Sequence, residues 1–325
     1  MSKMRNIIAA TVFRLIQIIW SPIAFVSYIF FVSKLVVYSR RSDVSSTTLA
    51  SLYTRWMQHK LGTRLDEPCE RLMMVLPNVS LLSLRLVTGG TLLAHRLTGY
   101  VPRLYRFPFE GQAQIAQEPA ARTTFFDAAL ARHLGDIEQL VILGAGWDTR
   151  SYRMPEAIRC FEIDTPKTQA AKRQLLKKAG LDATRITFVP ANFMTDDWLE
   201  NLANAGFDPH KPAFFLWEGV TMYLDREAVE STLRKIASTA SGSAVAFDYF
   251  NADLIEAKGL YMRYANAVLN AIGEPLHFGI ESPPPASKHV AAFLKSCSLT
   301  MEEQRNFGRE AECKPAMAGF TTAIV

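Results

Sequence analysis

VILGAGWDTR, residues 141–150, opens on an apolar run that leads into two glycines separated by one alanine. A run of this kind reads as a buried strand entering a tight loop. Gly144 and Gly146 let the backbone turn sharply, and they let a ligand approach with no Cβ in the way. Twenty residues beyond Gly144, Asp164 closes a second apolar run, CFEIDTP, residues 160–166. An acidic side chain at the end of the next strand is placed to accept both hydroxyls of a ribose. Together the two features specify an adenosine-containing ligand better than either glycine does alone.

The same rhythm continues outward from this stretch. LVILGAG (140–146), RCFEID (159–164), RITFVPA (185–191), AFFLWEG (213–219) and SAVAFDY (243–249) read as strands. Helical patterns such as Pro166–Lys178 and Arg226–Ala240 lie between them. Near-continuous apolar strands alternating with helices predict an α/β domain with a mostly parallel sheet covered on both faces. SLTMEEQ (298–304) and AGFTTAIV (318–325) read as two further strands. Upstream, Thr47–Lys60 reads as a helix, and Leu72–Ala94, interrupted by Pro77, as a packed helix pair. GYVPRLYRFPFEG (99–111) reads as an extended connector.

The glycines also narrow the ligand. The dinucleotide fingerprint G-x-G-x-x-G wants a third glycine where this chain has Thr149, followed by Arg150. No glycine-rich helix start remains to cradle a pyrophosphate. A sulfonium cofactor needs none; it needs a carboxylate partner, an amine partner and an adenine slot.

TTFFD (123–127), GAGWDTR (144–150), FEIDTP (161–166), DDWLENL (196–202) and LWEGVTMYL (216–224), in this order and spacing and with FDY (247–249), resemble the leucine carboxyl methyltransferase-like family. The resemblance covers about residues 118–325. It implies a Rossmann-like class I methyltransferase fold, a seven-stranded sheet whose last strand is antiparallel, preceded by N-terminal helices. It implies S-adenosyl-L-methionine as cofactor. It further suggests that Arg122 pairs with the methionine carboxylate, that Gly144 and Gly146 pass beneath the cofactor, and that Asp164 holds the ribose. Asn192 and Phe193 would contact adenine, and Glu218 would bind the ammonium or line the methyl side. The family usually has Asp-Leu where this chain has Asn192-Phe193; an asparagine still accepts and donates through its amide. Asp148 and Arg150 read as a pair that holds the loop.

The implied chemistry is transfer of a methyl group to oxygen, with a carboxylate or a hydroxyl as acceptor. No catalytic base is assigned. Tyr223 and Tyr249, after predicted strand ends, are candidates to border the acceptor. In this family the acceptor pocket is roofed largely by the N-terminal helices, which here resemble the family pattern least. Two other readings remain beside this one: a membrane-anchored cofactor-binding protein without turnover, and a nicotinamide oxidoreductase, against which the missing third glycine speaks.

Leu15–Ser33 holds 19 residues without a formal charge. As a helix it spans roughly 28 Å, close to a bilayer core of about 30 Å. Lys3, Arg5 and Arg14 precede it, and Lys34, Arg40 and Arg41 follow. The expected organisation is therefore a membrane anchor at 1–41, a helical lid region at 42–117 and a methyltransferase domain at 118–325. The catalytic domain is expected to face the cytoplasm, where the cofactor is made. A membrane tether points to a small, lipophilic acceptor or to a protein carboxyl group.

The net charge is +5, with no basic run carrying interleaved aromatics, so nucleic acid is not an expected partner. Cys69, Cys160, Cys297 and Cys313 form no CxxC pair. With His59, His133, His277 and His289 they show no metal-ligand spacing, so no metal is expected.

Overall fold

The structure, a computed structural model, describes residues 3–39, 48–109, 117–256, 275–312 and 314–325. Arg40, Arg41 and Cys313 lie outside the described residues. The chain divides into two compact units, Met1–Glu110 with Gln174–Leu181, and Gly111–Arg173 with Asp182–Val325.

The larger unit is built on a sheet. Its strands are β1 (Gln139–Leu143), β2 (Arg159–Asp164), β3 (Ile186–Pro190), β4 (Ala213–Trp217), β5 (Ala244–Asn251), β6 (Gly279–Ile280), β7 (Thr300–Phe307) and β8 (Ala318–Ile324). The order is β3-β2-β1-β4-β5-β8-β7, with the two-residue β6 paired to β5 off this path. β1 to β5 run parallel. β8, the last strand, is antiparallel to both of its neighbours, β5 and β7. The α/β class, the seven main strands and the antiparallel last strand thus match the sequence-based expectation; β6 is an addition that two residues could not announce.

Every residue of β1 and β4 is buried, which explains why these strands are apolar on both faces rather than alternating. Helices α5 (Glu118–His133), α6 (Pro166–Ala179), α7 (Trp198–Asn204), α8 (Arg226–Ala237), α9 (Ala252–Glu256) and α10 (Ala286–Ser296) occupy the connections. Asp197 and Asp225 cap α7 and α8 by accepting from the N–H groups of Glu200 and Ala228. An aromatic core fills the sheet face beneath α7 and α8: Phe161, Phe207, Phe215, Trp198 and Trp217.

The smaller unit carries α1 (Lys3–Ser39), α2 (Thr48–Lys60), α3 (Glu67–Val75) and α4 (Leu81–Thr98). The expected anchor at 1–41 and most of the expected helical region fall together in it. α3 stops just before Pro77, and α4 ends at Gly99, whose φ of 66° is left-handed. α1 lies along α4. The Trp20 indole seats over Gly89 and Gly90, where a Cβ at position 90 would come within 2.7 Å of it. Its Nε1–H donates to the Leu86 carbonyl at 2.7 Å, and Lys34 Nζ donates to the Val79 carbonyl at 2.9 Å.

The stretch Met4–Leu35 of α1 is long and apolar enough to cross a membrane; an 18-residue window within it has a mean hydropathy of 2.0 and is almost wholly outside the protein's own core. Ile18, Ile19, Phe25 and Phe30 are more than 60% exposed. A helix buried in its own protein would not leave them so.

Candidate functional site

The loops at the carboxyl ends of β1, β2, β3 and β4 carry six of the seven expected cofactor-binding residues; Arg122 reaches the same region from α5. This is where open α/β sheets hold ligands.

At β1, Gly144 has a φ of 67° and Gly146 a φ of 37°. Side-chain-bearing residues rarely take the first of these. A Cβ at Gly144 would also lie 2.4 Å from Val220 Cγ2. The loop is tied to the end of β2. The Ala145 N–H donates to the Ile163 carbonyl at 2.9 Å, and the Gly146 N–H to Asp164 Oδ2 at 2.8 Å. Asp164 Oδ1 accepts from the Thr165 N–H at 2.7 Å. Burial pushes the Asp164 carboxyl above the usual aspartate range, and the Gly146 and Thr165 N–H groups pull it part of the way back. Each oxygen keeps acceptor capacity after one backbone contact.

Beyond β3, Asn192 is exposed, and its Oδ1 accepts from the Met194 N–H at 3.0 Å. Its own N–H donates to Asp196 Oδ2 at 2.9 Å. The departure from the family pattern therefore makes a local turn, with the amide NH₂ still available as donor. Phe193 packs against Trp198 and Trp217, with ring centroids 6.2 Å away in each case.

Two guanidiniums organise the rest. Arg150, fully buried, donates from Nε to Asp127 at 2.6 Å, and from Nη1 to Asp148 at 2.5 Å and to Glu218 at 2.6 Å. The Asp148–Arg150 pairing read from sequence is present, and Arg150 extends it to α5 and to the end of β4. Arg122 pairs with Glu118 one turn earlier on α5 and with Asp248 of β5 at 3.0 Å. Asp248 also accepts from the Gly219 N–H at 2.7 Å. Gly219, with a φ of 72°, leaves room for this: a Cβ there would be 2.8 Å from Arg122 Nη1. Burial disfavours the Arg122 charge, but Asp248, Glu118 and Glu218 outweigh it and hold the guanidinium firmly protonated. Burial, partly countered by Arg122, raises the carboxyls of Glu118 and Asp248.

Glu118, Asp127, Glu218 and Asp248 thus meet Asp148 around two arginines, five carboxylates against two cations. Glu118, Asp127, Asp248 and Gly219 were not picked out as site residues in the sequence. Gly219 and Asp248 lie inside the WEG and FDY motifs, which were the available signal. Asp127 is the last residue of TTFFD and so also lies inside a quoted motif, whereas Glu118 stands upstream of it with nothing local to mark it.

Tyr249 is turned into the fold. It is buried, its ring fills the space that a Cβ at Gly319 would need, and its hydroxyl accepts from Gln304 Nε2 at 3.0 Å. Tyr223 lies near Arg122. Glu162 is a buried partner of Lys172 at 2.6 Å, a tie between β2 and α6. Among the described residues no cluster could hold a metal ion, and Cys69, Cys160 and Cys297 are buried free thiols.

The leucine carboxyl methyltransferase family model matches residues 105–237. A protein of Bacillus subtilis (strain 168), named "Putative S-adenosyl-L-methionine-dependent methyltransferase YktD", is 36% identical over 173 residues, 51% of this chain and 57% of that one. A Mycobacterium sp. (strain KMS) protein with the same description is 34% identical over 202 residues, 59% and 64% of the two chains. The match covers less than two thirds of either relative. Among solved structures, an O-methyltransferase family protein from Burkholderia thailandensis aligns with a TM-score of 0.40 at 15% identity, over 64% of this chain and 60% of that one.

Proposed function

We propose that this chain, whose residues 105–237 carry the leucine carboxyl methyltransferase pattern, is an S-adenosylmethionine-dependent methyltransferase acting on an oxygen acceptor, a carboxylate or a hydroxyl. The observation that carries the reading is the charge of the site. Among the described ion pairs, five carboxylates meet two guanidiniums in a largely buried cluster, which is rich in negative groups. Buried charge is costly unless a counter-charge arrives. S-adenosylmethionine brings a sulfonium and an ammonium against one carboxylate, a net positive charge. A nicotinamide dinucleotide brings two phosphates, which this cluster repels. The charge speaks against the oxidoreductase, and methyl transfer itself tells the enzyme from a binding protein without turnover.

The residues present fit the cofactor. Asp164, with both oxygens pre-oriented by backbone N–H groups, would accept the ribose hydroxyls. Gly144 and Gly146 would pass beneath it. Arg122 would meet the methionine carboxylate, for which its planar fork is suited, and Glu218 the ammonium. Asn192 and Phe193 would border adenine. When bound, the cofactor supplies an already activated methyl group. The protein's part is then alignment and exclusion of water. A carboxylate acceptor needs no general base; a hydroxyl acceptor is helped by one.

We also read α1 as a membrane segment with the catalytic unit on the cytoplasmic side, which brings a lipophilic small molecule or a membrane-protein carboxyl group within reach. The length and exposed apolar surface of Met4–Leu35 support this.

The test is methyl transfer by the full chain from methyl-labelled cofactor to total membrane extract. Label released as methanol by mild base marks a carboxyl ester; base-stable label on oxygen marks an ether. Label found only on nitrogen or sulfur would contradict oxygen methylation.

A further inference from the structure

Within the smaller unit, α1, α2 and α4 do not close fully on one another. They leave between them a half-open cavity of about 310 Å³, at the lower end of the range of about 300–1,000 Å³ typical of small-molecule sites. Tyr28, Phe31 and Leu35 wall it from α1, Leu49 and Tyr53 from α2, and Leu84 from α4. Among the described residues no charged side chain lines it. The Tyr53 hydroxyl is already hydrogen-bonded to Tyr105, so it asks nothing of an occupant. A water molecule needs two to four polar partners to settle in a cavity, and the described lining is apolar but for the tyrosines Tyr28 and Tyr53.

The outer side of the same stretch of α1 is equally apolar. Phe25, Ile29 and Phe30 are 67%, 51% and 65% exposed. A helix apolar all round needs apolar surroundings on every side. In a bilayer, lipid supplies them outside. On the inner side, the protein leaves a gap whose walls match hydrocarbon and nothing else.

We propose that this cavity is a binding site for one hydrocarbon chain of a membrane lipid, taken up beside α1. The proposal rests on the reading of α1 as a membrane segment and is independent of the cofactor site. Only an aliphatic chain combines the shape of a narrow cleft between helices, the absence of polar demands and a source at the same depth. A chain already in lipid gains mainly packing contacts, so occupancy should be saturable and reversible rather than tight.

The test uses the full chain in phosphatidylcholine vesicles containing palmitic acid with a diazirine near its methyl end. After irradiation, adducts are mapped by peptide mass spectrometry. The expected result is labelling of the α2 peptide at Leu49 or Tyr53, reduced at least tenfold by excess unlabelled palmitate, beside non-saturable labelling of Phe25 and Ile29. Ala50 is exposed at the rim of the cavity, so Ala50→Trp should cover the mouth without overpacking the core. It should abolish α2 labelling and leave that of Phe25 and Ile29 intact. Labelling of Phe25 and Ile29 with a bare α2 peptide would overturn the cavity proposal and keep the membrane reading. Labelling of neither would overturn both. An α2 signal that excess palmitate does not compete would also overturn the proposal, whether or not the variant folds.

Discussion

In the proposed reading, Asp164 serves binding at some cost to the fold. It is an acid with a raised native pKa, so it holds its proton more tightly folded than unfolded. Its contribution to stability is therefore greatest below the ordinary aspartate range, falls as pH rises through the raised value, and is a net cost at neutral pH. Asp164→Asn should accordingly melt within a few degrees of wild type, or higher, in a thermal scan at pH 7. The same variant should lose S-adenosylmethionine affinity by roughly 10- to 100-fold, the scale of one or two charge-assisted hydrogen bonds. A parallel fall in melting temperature and affinity would mean that the carboxylate serves the fold alone. Gly219 gives a second test at this scale. Gly219→Ala forces a side chain into left-handed backbone, at a cost of roughly 1–2 kcal/mol, and presses its Cβ against Arg122. Calorimetry should find cofactor binding weakened about tenfold or more, with a modest loss of stability. Asp164 was legible because strand and loop signals are local and its spacing from Gly144 is short. Gly219 and Asp248 were visible as parts of motifs but had no assigned work, because their shared partner, Arg122, is remote in sequence.

Elements are held to one another here mainly through Arg150. It stands in a single 3-10 turn after β1 and reaches α5 through Asp127 and the end of β4 through Glu218. Removing one member of a buried ionic cluster leaves the others uncompensated, at about 3–5 kcal/mol. Arg150→Ala should therefore unfold at clearly lower urea concentration than wild type, with loss of order near the measured stability of a typical domain. A denaturation midpoint unchanged from wild type would show that the network is not structural. The strands themselves were almost fully readable from sequence, since a parallel sheet buried on both faces leaves unbroken apolar runs. β6 was not, because two residues that pair at the end of β5 carry no periodicity. The stretch Leu72–Ala94 was correctly read as two helices: Pro77 and the Ser80 cap mark the break chemically.

At the scale of the whole molecule, the account joins an apolar N-terminal helix to a cofactor site rich in negative groups. The first half predicts that the full chain floats with phosphatidylcholine vesicles in a density gradient, and that Ile19→Asp with Phe25→Asp shifts it to the soluble fractions. The second half predicts a pH signature. Glu118 and Asp248 carry carboxyls raised by burial, so a cationic ligand competes with their protons. Affinity for S-adenosylmethionine should rise as pH climbs from the ordinary carboxylate range through the raised values, and binding there should release protons, seen as a buffer-dependent heat. The cluster itself was hidden in the sequence, because its five carboxylates are scattered from Glu118 to Asp248 and only the fold gathers them. The most direct test of the central claim is calorimetric titration of the detergent-solubilised full chain with S-adenosylmethionine and, separately, NADH, in wild type and Asp164→Ala. The account predicts micromolar binding of S-adenosylmethionine, lost in the variant, and none of NADH. Binding of NADH, or S-adenosylmethionine binding indifferent to Asp164→Ala, would contradict it.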